Sequence, residues 1–155
     1  MRRKDREITE YDKMLEIMKS CDCCRIGLND KDGVYIIPLN FGYEENSGIL
    51  TLYFHGASEG KKIDLIKQQN TASFEMDTKH QLVEADVACS YSYLYQSIMG
   101  KGKISLVYNS DEKIKGLECV MSHYSNSNTW KFNEEVLKRI AVIKIEVTEW
   151  SCKEH

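Results

Sequence analysis

The chain has 155 residues, enough for one domain with its own core, and 42% hydrophobic with 29% charged residues is ordinary globular composition. A formal net charge of −3 offers no general attraction to nucleic acid or to an anionic membrane. No apolar run approaches the ~20 residues of a membrane span. The basic start MRRKDREITEYDK continues into charged residues where an export signal would be apolar, so the expected location is the cytoplasm.

The first predicted helix opens at Thr9, with Asp12 three residues on in a capping-box arrangement. Tyr11, Met14, Leu15 and Met18 form its apolar stripe. Beyond Cys21 the period changes. Arg25–Leu28 is a short apolar segment, NDKDG a turn, and VYIIPLNFGY a strand in which Pro38 marks an edge or a bulge. EENSG turns the chain into the strand ILTLYF, which ends at Phe54. HGASEGKK breaks the pattern, KIDLIKQQ resumes with helical spacing, and TASFEM is another short strand. ACSYSYLYQSIMGKGKISLVY alternates in two pieces around Gly100 and Gly102, as a bent or bulged strand would.

NSDEKIKGLECVMSHY is a helix capped by Asn109 or Ser110, with Ile114, Leu117, Val120, Met121 and Tyr124 on its apolar stripe. Asn133 caps the short helix EEVLKR, and Ile143, Ile145 and Val147 face one way on a last strand. Strands joined mostly by short turns, with helices inserted at intervals, predict one mainly antiparallel α+β barrel domain over residues 1–155.

Without an export signal the six cysteines read as reduced thiols. The cluster CDCC lacks the second ligand pair of a zinc site, so no metal is expected. Strand alternation would set Cys21 and Cys23 on one face and Cys24 on the other. Tyr91, Tyr93 and Tyr95 share a strand face that suits a flat cofactor, barrel packing or a partner.

The chemistry concentrates in TLYFHGASEGKKIDLI. A strand gives way to small residues, then to two lysines at a helix start. Helix N-termini present unpaired N–H groups and a positive dipole end. Gly56 and Gly60 let a backbone approach an anion closely, while Ser58, Lys61 and Lys62 add donors and charge. The same pattern is also compatible with a solvated helix end. His55 stands beside this turn, whereas His80, His123 and His155 lack such company.

IIPLNFGY, LTLYFHGASEGKKIDLI and ACSYSYLYQSIMGKGK, in that order, resemble the pyridoxamine 5′-phosphate oxidase-related flavoproteins. The likeness is strongest to the nitroimidazole-resistance (nitroimidazole reductase-like) branch and runs from about Met1 to Val147. The resemblance implies an FMN-binding split β-barrel with peripheral helices, dimeric, with FMN in the grooves between subunits. It points to Pro38, Leu39 and Asn40 along the flavin ring, and to His55, Gly56, Lys61 and Lys62 at the ribityl chain and phosphate. Ser97 takes the place of a polar cofactor contact, with Ile98 beside it. The chain departs from the oxidases in two respects: Lys61 stands where they usually carry arginine, and their C-terminal substrate-binding arginine motif is missing, which argues against pyridoxamine phosphate as substrate.

The expected activity is FMN-dependent reduction of a small aromatic acceptor such as a 5-nitroimidazole, with His55 orienting the substrate or delivering a proton. The alternatives are a non-catalytic flavin-binding or storage protein and a haem-binding split barrel. Nucleic acid and membrane are not expected partners.

Overall fold

The computed structural model describes residues 3–127 and 129–155. Its strands are β1 (Glu7–Ile8), β2 (Cys24–Asp30), β3 (Gly33–Leu39), β4 (Phe41–Asn46), β5 (Ile49–Ala57), β6 (Thr71–Val83), β7 (Ser92–Val107) and β8 (Ile140–Glu154). The helices are α1 (Tyr11–Lys19), α2 (Lys61–Gln68), α3 (Ser110–Tyr124) and α4 (Glu134–Arg139). All pairings are antiparallel, in the order β3-β2-β6-β7-β8-β5-β4, with β1 added to β8. The two ends of that order, β3 and β4, are consecutive in the chain and joined through Asn40. The sheet is therefore a split β-barrel: covalently continuous across the gap but not hydrogen-bonded there. Pro38 lies on β3 at the edge of the sheet, where a missing N–H costs no ladder bond. Among the described residues no helix is long and apolar enough to cross a membrane.

Alternation along the strands builds two hydrophobic layers. Leu52, Phe54, Ile143 and Ile145 point into the barrel with Ile26, Leu28, Met76 and Ile98. Tyr53 and Val142 point the other way, under Leu117 and Val120 of α3. Strand β5 is thus buried on both faces. Asn109 caps α3 by accepting from the Glu112 amide at 2.9 Å, and Asn133 caps α4 through the Glu135 amide at 2.8 Å, as the sequence predicts.

Several local expectations change. Helix α1 begins at Tyr11 behind Glu10, with no side-chain cap, so the Thr9 capping box does not form. Its buried residues are Met14, Ile17 and Met18, while Tyr11 sits outside and meets Trp150 edge-on at 5.8 Å. Strand β5 runs past Phe54 to Ala57 because β8 continues to pair with it. Strand β6 likewise extends through charged residues to Val83 along β7. Strand β7 is unbroken, with an irregularity against β8 between Lys101 and Gly102.

Cys21 and Cys24 are both fully buried and Cys23 is half-buried, the reverse of the expected grouping. Cys21 still belongs to the helix end, its Sγ donating to the Ile17 carbonyl at 3.2 Å, so strand alternation does not reach it. On α3, Met121 and Tyr124 are exposed, and the buried positions are Gly116, Leu117 and Val120.

Candidate functional site

A notch forms where one strand pairing gives way to another. In the β4–β5 ladder Phe41 faces Phe54 and Gly42 faces Tyr53. Continuing that register would set Asn40 opposite His55 and Leu39 opposite Gly56. Instead the chain leaves β5 at Asn40, and Leu39 pairs with Cys24 of β2. Strand β5 goes on along β8 alone, as far as Ala57 opposite Ile140. From His55 onward the β5 edge toward β3 has no strand partner among the described residues, so its main-chain groups are available to a ligand. Phe41 and Phe54, both fully buried, close the root of the notch.

Helix α2 closes a further side, anchored in the core by Ile63, Leu65 and Ile66. Lys61 Nζ lies 2.5 Å from Asp30 Oδ2 and 4.9 Å from the centre of the Tyr35 ring, tying the first turn to the β2–β3 hairpin. Their hydrogen bond holds the Asp30 carboxyl below its usual range and the Lys61 ammonium above its own. Lys62 takes another course. A Cβ on Gly56 would lie 2.8 Å from its Cε and 3.0 Å from its Nζ, so the ammonium rests over bare β5 backbone. Among the described residues Lys62 makes no ion pair. The first amide bonded back within the helix is that of Ile63, to the Gly60 carbonyl at 2.8 Å; those of Lys61 and Lys62 precede it. This corner fits an oxyanion by donor count and by charge.

The structure gathers most of the expected residues here. Pro38, Leu39 and Asn40 line the departing strand, Pro38 and Asn40 exposed and Leu39 half-buried. His55 is exposed on β5 opposite Val142, its side chain on the α3 face with Tyr53, while Gly56 follows opposite Ala141 on the face that meets Lys62. Ser97 and Ile98 are not brought to this corner. Ser97 faces Lys153 on β8, eleven residues along that strand from Val142, roughly 35 Å if fully extended. Ile98 is fully buried in the barrel, which leaves only its main chain for any ligand.

The other histidines do have company, which the sequence could not reveal because every partner is remote or depends on strand geometry. His80 Nε2 lies 2.6 Å from Asp77 Oδ2 and its ring stacks on Tyr93. Asp77 also pairs with Arg25, which reaches Glu75 at 3.0 Å. His123 packs on Phe41, 4.3 Å between ring centres, and donates to the Cys21 carbonyl at 2.8 Å. His155 approaches Ser92 Oγ at 2.8 Å. Of the three tyrosines, Tyr91 and Tyr93 are exposed and Tyr95 is half-buried. On the outer face of β3, β2, β6 and β7, Val34, Ile36 and Met99 are 63%, 62% and 45% exposed. Together with Gly27, Phe74 and Arg25 they line a shallow hollow of about 510 Å³.

The parting strands of the split barrel and its capping helix thus enclose a cationic corner. The profile described as pyridoxamine 5′-phosphate oxidase matches residues 10–154, and the chain belongs to that family. A candidate 5-nitroimidazole antibiotic resistance protein from Bacteroides thetaiotaomicron superposes with TM-score 0.82 at 30% identity, over 96% of this chain and 86% of that one. The flavocytochrome Anf3 of Azotobacter vinelandii gives TM-score 0.82 at 18% identity, covering 100% of this chain and 72% of its own. An FAD- and haem-binding protein of Mycobacterium smegmatis gives 0.81 at 14%, covering 96% and 73%. The last two likenesses are of fold. Among proteins with curated functions, none matches.

Proposed function

We propose that this protein binds flavin mononucleotide in the notch and works as a reductase of small aromatic acceptors, 5-nitroimidazoles among them. The observation that carries the reading is Lys62 Nζ resting over Gly56 with no counter-ion among the described residues, one position along β5 from the exposed His55. Family membership and the 30% identity to the Bacteroides protein support the cofactor and acceptor classes. A bound flavin supplies electron transfer between a reduced nicotinamide donor and the acceptor. Lys62 and the first-turn amides of α2 hold the phosphate, and the free β5 edge with Pro38–Asn40 orients the ring. His55 orients the acceptor or passes it a proton.

The working unit in this reading is a homodimer. The apolar outer face around Val34, Ile36 and Met99 is the contact, and it carries the Ser97 segment of one copy toward the notch of the other.

The test is reconstitution with FMN, followed by assay of nicotinamide-dependent 5-nitroimidazole reduction. A flavin spectrum with turnover that drops at least about tenfold in His55→Ala supports the reading. Tight FMN with no turnover on any nitroaromatic would make the protein a flavin carrier. A haem band with no flavin uptake would overturn the cofactor.

A further inference from the structure

We infer that the two adjacent lysines divide the work at the flavin phosphate: Lys62 is the ligand, and Lys61 is a positioning residue that neutralises Asp30. The inference rests on the FMN reading above and deepens it.

Neighbouring residues on a helix point about 100° apart, so the two lysines meet different surroundings. Lys61 already has a carboxylate at 2.5 Å and an aromatic ring at 4.9 Å. To reach a phosphate it would have to release Asp30, leaving that carboxylate at the same helix end, where an incoming anion would meet it. Paired, the two charges cancel and the corner keeps the net charge of Lys62 alone. Lys62 is half-buried, with its stem against Gly56 and no acidic partner among the described residues. An ammonium so placed lacks an anion, and the glycine beneath gives that anion room. Sequence neighbours of identical type therefore have different duties, set by a residue thirty-one positions upstream.

The experiment measures FMN and riboflavin affinities for wild type, Lys62→Met, Lys61→Met, Asp30→Asn and the double variant Asp30→Asn/Lys61→Met, with circular dichroism as a check on folding. Lys62→Met is expected to lose at least about tenfold in FMN affinity, with riboflavin unchanged, so phosphate discrimination collapses. Lys61→Met is expected to weaken FMN because Asp30 is unmasked, and the double variant to regain most of the loss. If Lys61 were a ligand, the double variant would stay as weak as Lys61→Met, and that result overturns the division. If neither lysine variant changes FMN affinity, the phosphate site itself is misassigned and the FMN reading fails with it. Should Lys62→Met not fold, Lys62→Gln gives the same comparison with a polar side chain.

Discussion

Gly42 of β4 and Cys119 of α3 meet backbone to backbone: a Cβ on Gly42 would lie 2.1 Å from the Cys119 carbonyl carbon and 2.3 Å from the Val120 nitrogen. Neither atom belongs to a flexible side chain, so a methyl there must push the helix away. Helix α3 also holds the strand crossover, since the Tyr124 hydroxyl accepts from the Phe41 amide at 3.1 Å and donates to the Asp22 carbonyl at 2.8 Å. Gly42→Ala is expected to cost about 3 kcal/mol, at the upper end of ordinary overpacking. Urea unfolding measures it, and an unchanged midpoint would contradict the packing.

Gly56→Ala makes the opposite prediction. Its new methyl meets only the far end of Lys62, which can swing aside. Stability should stay within about 0.5 kcal/mol of wild type. The displaced ammonium should weaken FMN binding severalfold, read by fluorescence titration. A large loss of stability with normal FMN affinity would refute the assigned geometry.

Burial raises the thiols of Cys21 to about 12 and of Cys119 and Cys152 to about 11, and Cys24 is raised too. The folded protein keeps these protons when the unfolded chain, near the ordinary 9.0, has released them. Their contribution to stability is therefore complete below pH 9 and declines as pH rises through the folded values. The thermal midpoint should fall from pH 8.5 to 10.5, less so in a Cys21→Ala/Cys152→Ala variant. At pH 8 a thiol reagent should modify exposed Cys89 first and reach Cys21, Cys24 and Cys152 only on unfolding.

Ile36→Lys places a charge in the exposed apolar face. On the dimer proposed above, it should yield monomers in sedimentation and lose FMN together with self-association. A dimer that persists in the variant moves the interface elsewhere.

Features whose hydrogen bonds close within a few residues can be read from the chain alone. The caps at Asn109 and Asn133, the turn before Gly33 and the one at Ser47–Gly48 are legible because donor, acceptor and backbone preference lie within one short window. The turn with Gly56, Lys61 and Lys62 is legible in the same way, from small residues followed by lysines at a helix start.

Whatever depends on a distant neighbour emerges only in the folded protein. Strand β6 continues past Asp77, across an irregularity between Thr78 and Gln81, because β7 lies alongside and pairs with it again up to Val83. The burial of Cys21 with Cys24 follows from a helix end that strand periodicity does not describe. Lys61 and Lys62 are indistinguishable in sequence. Asp30 and Tyr35 engage one and Gly56 underlies the other, and those contacts exist only once the β2–β3 hairpin and β5 stand on either side of the same helix turn.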